Sequence, residues 1–302
     1  MYEPAKSITH QHLLSIVNTE LWRNPSGHVL RLLDAGCGNG DLLAYLARSL
    51  GHLNPHIQME FYGFDVHDHG VQKEGFLDKT ITALQTQLPS IPWVERIATI
   101  TTTDPWPYPD DFFDVILSNQ VLEHVADHSF FFAQTHRTLR RDGYAAHLFP
   151  LRHYFLEGHI LLPLAHRIGD FDLLRGYITW MSRLGFGKYK GHHKSSGVSL
   201  AEYSERHADY IHYFTNYLSR TEILGLCKRH QLRVSFRYTR EFYTSKLRAL
   251  LGRPPRYKYA TQRSALVDWI SQLFFQRISS ITLILEKRQT YQVIAPYVGA
   301  KH

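Results

Sequence analysis

Cysteine is nearly absent. Only Cys37 and Cys227 occur in 302 residues, which leaves no disulfide framework and points to a reducing compartment, the cytoplasm. Long apolar runs are missing as well. No window reaches the roughly 18 residues that a membrane-spanning helix needs, and the opening "MYEPAKSITHQHLLSIV" has no apolar core behind a basic head. A dense Lys/Arg block is also lacking. Lys+Arg 34 against Asp+Glu 27 gives a formal +7, and this surplus reads as spread along the C-terminal half, so no dedicated nucleic-acid face is expected. Internal repeats and low-complexity tracts are not found.

What is present is a globular composition, 44% hydrophobic, with a strong alternation of element types. Residues 29–33, "VLRLL", form a short branched run that predicts a buried parallel strand ending at Asp34. "GDLLAYLARSL" follows as a helix, with Leu42, Leu46 and Leu50 on one face and Asp41 in the first turn. "IQMEFYGFD" is a second strand, closing at Asp65 a strand, helix, strand unit. The alternation continues through the helix "FLDKTITALQTQL", the strand "ERIATITTT", the strand "FFDVILSN", the helix "HSFFFAQTHRTLRR" and a fifth strand, "YAAHLFP". This is the pattern of a doubly wound, Rossmann-like α/β sheet.

From Leu151 to Asn216 the alternation stops. "HYFLEGHILLPLAHRI" is helical in pattern and "GFGKYKGHHKSSG" is loop-like, so residues 151–216 are expected to form a helical insertion over the ligand edge of the sheet. Residues 217–302 then resume the fold with "LSRTEILGLCKRHQL" as helix, "RVSFRYTRE" as strand, "YTSKLRALL" and "SALVDWISQLFFQR" as helices and "SSITLILEKR" as a closing strand. Residues 1–150 carry the core and an N-terminal helix.

The glycine turn "LLDAGCGNG" carries the chemistry. A dinucleotide fingerprint needs its third glycine three residues after the second, where Asp41 stands; a carboxylate there repels a pyrophosphate. No Gly-Lys-Ser/Thr follows, which excludes the phosphate-cradling loop of nucleotide hydrolases. Asp65 at the end of the second strand is placed to accept both hydroxyls of a ribose. The expected ligand is a nucleoside without bridging phosphates.

"LLDAGCGNGDLL", "FYGFD" and "PWPYPDDFFDVILSNQVLEHV" closely resemble the motifs of class I S-adenosylmethionine-dependent methyltransferases, particularly the branch related to ubiquinone and sugar methyltransferases. The resemblance covers residues 29–150 and, more thinly, the last strand pair. It implies a seven-stranded sheet, S-adenosyl-L-methionine as cofactor and S-adenosyl-L-homocysteine as product. Asp34, Gly36 and Gly38, with Cys37 between them, would border the methionine part, and Asp65 with Val66 would hold the ribose. In "TTTD" the adenine contact is shared among Thr102, Thr103 and Asp104, with Thr103 and Asp104 favoured. Asn119 and Gln120 would line the sulfonium side. Asp114 and His124, in "FFD" and "LEHV", read as structural.

Methyl transfer to a hydroxyl needs a base, and histidine suits it. The insertion offers His153, Glu157, His159 and His166, with His159 foremost because "LEGH" follows the fifth strand closely. On a helix, His159 and His166 share one face and His153 and Glu157 another. The same histidines, among Leu161, Leu162 and Leu164, would also serve as packing residues. Their spacing matches no zinc pattern, so no metal is expected. Tyr154, Phe155, Tyr177, Trp180, Tyr203, Tyr210 and Tyr213 offer rings for a sugar or a planar acceptor. An O-methyltransferase acting on a small-molecule or glycan hydroxyl is the first expectation. An N-methyltransferase, an aminopropyl transferase and a catalytically silent cofactor-binding subunit are the alternatives. The oligomeric state stays open, a homodimer included.

Overall fold

A computed structural model describes residue 5 and residues 7–23, 27–68 and 75–288; the outer ends of the 1–150 and 217–302 segments lie outside the described residues. Helix α1 (Ile8–Glu20) starts at Ser7, whose hydroxyl accepts from the Thr9 N–H. It packs on α2 (Asp41–Leu53), which follows strand β1 (Leu30–Ala35). β1 is buried along nearly its whole length because it sits in the middle of the sheet, which is why its sequence is a run rather than an alternation. Then come β2 (Met59–Val66), α3 (Phe76–Gln87), the single turn α4 (Trp93–Arg96), β3 (Ile97–Ile100), β4 (Phe113–Asn119), α5 (His128–Thr138) and β5 (Leu139–Pro150).

The insertion contains a two-stranded ribbon, β6 (Leu156–Glu157) with β7 (Leu162–Pro163), and helices α6 (Phe171–Arg183), α7 (Tyr189–Ser196) and α8 (Leu200–Phe214). The chain ends its described course with α9 (Arg220–Arg229), β8 (Leu232–Ser235), α10 (Thr239–Leu250), α11 (Ala265–Phe275) and β9 (Ser280–Lys287).

Seven strands form one sheet in the order β3-β2-β1-β4-β5-β9-β8. The first five are parallel, and β9 runs antiparallel to both its neighbours. From β1 the chain winds outward to β2 and β3, then crosses back to β4 and β5. The carboxyl ends of β1 and β4 therefore part company and leave a crevice between them, the place where open α/β sheets take their ligands. One apolar layer on each face of the sheet closes the core: Leu13, Leu42, Leu46 and Phe61 on one side, Phe64, Trp106, Phe131 and Ile223 on the other.

Three expectations need correction. The segment 153–168 is not a helix: Glu157 and Leu162 pair across a tight ribbon in which Leu161 and Leu164 take left-handed backbone angles. Gly158 and Pro163 are poor in a helix interior, and apolar residues at a helical spacing hide that. "GFGKYKGHHKSSG" is not all loop, since α7 spans Tyr189–Ser196 and ends at Gly197, φ 71°. "RVSFRYTRE" is strand only as far as Ser235; Tyr238 turns the chain at φ 73°, and Thr239 opens α10. Residues 160–211 share a small core in which Ile160, Leu162, Leu174, Ile178, Tyr203 and Ile211 are all buried.

Candidate active site

A cavity of about 450 Å³ opens over the crevice. Its floor is made by strand ends. Gly36 and Gly38 in the turn after β1 hold φ of 81° and 51°, a region where only glycine is unstrained. A Cβ on Gly36 would lie 2.8 Å from the Val121 methyls, whereas one on Gly38 would meet nothing within 4 Å, so Gly38 faces open space. Asp65 ties this turn to the end of β2. Its Oδ2 accepts the Gly38 N–H at 2.7 Å and its Oδ1 the Val66 N–H at 2.8 Å. Burial pushes the Asp65 carboxyl up, against those two backbone bonds.

Asp34 lies behind the turn, 2% exposed, with Oδ1 buried and unpartnered. Burial first, and the charge of Asp65 second, push its carboxyl well above the usual range. Asn119, at the end of β4, also keeps a buried Oδ1 without a partner. Gln120 takes a left-handed angle, φ 57°, and binds Leu148 O and Ser280 Oγ through its amide nitrogen. The unmatched Asn119 acceptor lies in the cavity wall and suits a ligand with an amine or hydroxyl donor, whereas that of Asp34 stays behind the turn. The fit to a nucleoside amino acid is good.

The other end of the cavity is built from side chains distant in sequence. Glu157 is fully buried at the turn of the ribbon. Its Oε2 accepts the N–H groups of His159 and Ile160, each at 2.9 Å, and its Oε1 accepts His159 Nδ1 at 2.6 Å and the hydroxyls of Tyr154 and Tyr217, each at 3.2 Å. Burial disfavours the charge, but the hydrogen bond and charge of His159 and the two backbone donors outweigh it and hold the carboxylate at about 2. A carboxylate only accepts, so Nδ1 of His159 carries the proton and Nε2 is the basic atom. Nε2 lies 3.4 Å from the hydroxyl of Tyr210, and both residues line the cavity.

His124 mirrors that arrangement. Its Nδ1 donates to Phe214 O at 2.7 Å, which leaves its Nε2 as acceptor too. Tyr210 stands between the two rings, its hydroxyl 3.2 Å from Nε2 of His124 and 3.4 Å from Nε2 of His159. One hydroxyl proton serves one nitrogen at a time. The shorter contact is to His124, so the His159 lone pair is the one left for a ligand.

The cavity gathers Gly36, Gly38, Asp65, Val66, Asp104, Asn119, Gln120 and His159 from the residues expected on sequence. Asp34 and Cys37 support the turn from behind; neither lines the cavity. In the loop after β3, Thr101 and Thr102 face the cavity with Asp104, and Thr103 does not. Its hydroxyl instead contacts that of Thr101, 3.2 Å away. His153 is exposed and His166 stacks on Tyr154, ring centres 4.2 Å apart, with Nε2 donating to Arg152 O. Both line a separate surface hollow with Arg152 and Asn216. The helical faces that would pair them with His159 and Glu157 do not exist. Of the seven candidate stacking rings only Tyr210 reaches the cavity; Tyr154 and Tyr203 are buried, Tyr177 is half-buried and donates its hydroxyl to Pro163 O at 2.7 Å, and Phe155, Trp180 and Tyr213 point to solvent.

Asp114 is structural as expected, accepting from the Arg31 N–H and from His28. His124 anchors the end of α8 through Phe214 O, and it also stands in the cavity wall with its other ring nitrogen turned to Tyr210. Phe130, Phe131 and Phe214 supply an apolar lining with no local motif to announce it, and Trp106, from the stretch that opens with Pro105, joins them. Among the described residues no cluster of three or more His, Cys, Asp or Glu is arranged for a metal ion.

A Rossmann-like sheet with a cofactor crevice at the split between β1 and β4 defines the class, and sequence comparison agrees. Residues 9–234 match the methyltransferase domain family. The chain belongs to that family and is a class I methyltransferase whose cofactor is S-adenosylmethionine. No curated protein matches it in sequence. Among solved structures it is similar to the YcgJ protein of Bacillus subtilis, with 14% identity over 93% of this chain and 99% of that one and a TM-score of 0.46. It is also similar to phosphoethanolamine N-methyltransferase 2 of Haemonchus contortus in complex with phosphomonomethylethanolamine and S-adenosylhomocysteine, with 13% identity, 92% and 52% coverage and a TM-score of 0.44. A third is PKMT2 of Rickettsia typhi, at 11% identity, 95% and 54% coverage and a TM-score of 0.47. The chain thus spans about half the length of the latter two. Likeness at this level says nothing about the acceptor.

Proposed function

We propose that the protein is an O-methyltransferase for a small-molecule or glycan hydroxyl, with His159 as general base and Glu157 as the residue that positions it. The observation that carries this reading is the 2.6 Å bond between Glu157 Oε1 and His159 Nδ1, which fixes ring and tautomer with Nε2 beside the Tyr210 hydroxyl. S-adenosylmethionine supplies an electrophilic methyl group on a sulfonium. Asp65 holds its ribose, Gly36 and Gly38 let its methionine part lie against the backbone, Asn119 and Gln120 line its sulfonium side, and Asp104 stands at the base. His159 Nε2 takes the acceptor proton as the oxygen attacks, and Glu157 stabilises the imidazolium that results. Phe130, Phe131 and Phe214 exclude water from the line of transfer.

Residues 151–216 are the lid of this acceptor site, and β8 and β9 complete the sheet behind it. A cavity of this size, closed by ribbon and helices, suits a small acceptor better than a duplex or an extended protein chain. The test is direct. The protein is incubated with S-adenosylmethionine and a pool of hydroxylated and aminated metabolites, and products one CH₂ heavier are identified by mass spectrometry. Methyl ethers support the reading; products methylated only on nitrogen or only on carboxylates overturn it.

A further inference from the structure

Helix α11 is built inside out. Its one fully buried residue is the polar Gln272, while Leu266, Trp269, Ile270 and Phe274 are exposed, Trp269 at 50% and Phe274 at 64%. An ordinary surface helix does the reverse. The exposed apolar surface continues past it. Tyr243 of α10 stacks on Phe275, ring centres 3.9 Å apart, and the same α10 carries Leu247 and Leu250 to solvent, with Leu250 at 83% and Leu251 just beyond. On the other side, Ile278 is exposed and the Phe155 N–H donates to Arg277 O at 2.8 Å, which joins the face to the ribbon bearing His159. That ribbon exposes Phe155, Leu156 and Leu161. A continuous patch of this kind marks an interaction site.

Charge says what covers it. Residues 1–239 carry 23 basic and 24 acidic side chains, close to balance. Residues 240–277 carry eight basic and two acidic ones, so nearly all of the +7 sits here and not along the whole C-terminal half. The two acids, Glu241 and Asp268, are both held by Arg263, at 2.9 Å and 2.6 Å. Arg253, Arg256 and Lys258 are exposed in the loop that joins α10 to α11, and Arg277 is exposed at the far end of α11. Leucines, a tryptophan and phenylalanines rimmed by Lys and Arg, on a helix that does not cross, are the composition of an interfacial membrane anchor. A second copy of the chain would bring this basic rim toward its own like charge. No helix of the described residues is long and apolar enough to span a bilayer, so the contact is with its surface.

We propose that the α10–α11 face docks the protein on an anionic lipid bilayer. Trp269, Ile270 and Phe274 enter the headgroup boundary, and Arg253, Arg256, Lys258 and Arg277 meet lipid phosphates. This docking does not depend on which acceptor is methylated.

The test is flotation of the full chain with vesicles of phosphatidylcholine alone or mixed with phosphatidylglycerol. The expected result is flotation with the mixed vesicles, little with phosphatidylcholine alone, and loss of binding as salt rises. Trp269→Ser with Phe274→Ser should weaken partition by about tenfold or more, and so should Arg253→Gln, Arg256→Gln and Lys258→Gln together. Val94→Glu, an exposed apolar site in α4 toward the β3 edge of the sheet, should leave partition unchanged. All variants alter exposed side chains, and an unaltered melting temperature confirms that each is folded. Failure of the parent chain to float, or equal flotation with neutral vesicles, overturns the proposal. A lipid-free dimer that Trp269→Ser with Phe274→Ser dissociates, in a chain that does not float, assigns the face to a second copy and overturns it as well.

Discussion

The two ends of the cavity are made by different means. The end proposed for the cofactor is built largely of backbone: two glycines at positive φ and one aspartate that accepts two N–H groups of its own neighbourhood. The end proposed for the acceptor consists of side chains from three places, His124 after β4, His159 in the ribbon and Tyr210 in α8, with Glu157 behind them. A backbone-built site changes little when a side chain is trimmed, since its donors remain. A side-chain site depends on each member. The same fold therefore keeps one ligand constant and leaves the other free to vary with the insertion.

The largest effect should come where the chemistry has no substitute. His159→Ala is expected to lower kcat by roughly 10² to 10⁴ while the dissociation constant for S-adenosylhomocysteine stays within about twofold, a split that calorimetry and turnover measure together. Unchanged turnover would take His159 out of the reaction and hand the role to His124. Glu157→Gln should lower kcat less than His159→Ala does, because a ring held by a neutral amide keeps its place and loses the stabilisation of its charge. Glu157 also contributes to stability with a definite sign. Its carboxyl sits at about 2 when folded, below its ordinary value of 4.5, so the stabilisation is present above pH 4.5 and is lost as pH falls toward 2.

Glu123 has the opposite sign, and this sharpens the contrast between two buried acids that sense each other's charge. It is 1% exposed and its Oε2 has no partner. Burial, with a smaller push from Glu157, raises its carboxyl from an ordinary 4.5 to about 8. The folded chain then holds a proton that the unfolded chain releases near 4.5, so stability falls as pH rises from 4.5 to 8 and levels off above. Glu123→Gln should remove that fall. It should raise the melting temperature at about pH 8 by the equivalent of a few kcal/mol, since each tenfold difference in proton affinity between folded and unfolded chain is worth about 1.4 kcal/mol, and change it little at about pH 4. An equal gain at both pH values would show that packing, not the proton, is responsible.

How much of this is legible in the sequence follows from how local each feature is. The glycine turn, Asp65 and Asn119 are fixed within a strand end and the residues that follow it, and they stand out in "LLDAGCGNG", "FYGFD" and "ILSN". The seven strands are legible for the same reason, apart from their ends. β5 begins at Leu139 rather than Tyr144, because the pairing with β4 shifts between Phe113 and Val115 where Gly143 lies against the Asp114 carbonyl. The ribbon at 156–163 reads as a helix because its leucines recur at a helical interval, while its turn is set by Glu157 binding two N–H groups ahead of it, which no periodicity records. His124 and Tyr210 meet across 86 residues of sequence, and only the folded chain brings them together.

Asp65→Ala should weaken cofactor binding by about 1 to 3 kcal/mol, the usual loss for a charged hydrogen-bonding partner, without the collapse of turnover at saturating cofactor that His159→Ala produces. The substitution also releases the Gly38 N–H from its 2.7 Å bond, so part of the loss reflects a looser turn. Gly38→Ala separates the two contributions. A Cβ there has room but must hold φ near 51°, so affinity falls through strain while the carboxylate remains. If Asp65→Ala bound S-adenosylhomocysteine as tightly as the parent, the carboxylate would be a brace for the turn and nothing more.

The smallest effect distinguishes neighbours in one loop. Thr103 lies outside the cavity wall, whereas Asp104 lines it and accepts the Thr101 N–H at 2.8 Å. Thr103→Ala should therefore change cofactor affinity by less than about 0.5 kcal/mol, the range for a surface residue away from any special contact. Asp104→Ala should change it more, and in a way that depends on the base: replacing adenine by hypoxanthine in the S-adenosylhomocysteine analogue removes an amino donor, so a carboxylate that accepts from it loses that contact in the parent and has none to lose in the variant. A parent that binds both analogues alike would move the adenine contact elsewhere in the loop, to Thr101 or Thr102. The cofactor end would then be backbone-built at its base as well as at its turn, and Asp104 would serve only to close the loop that displays those amides.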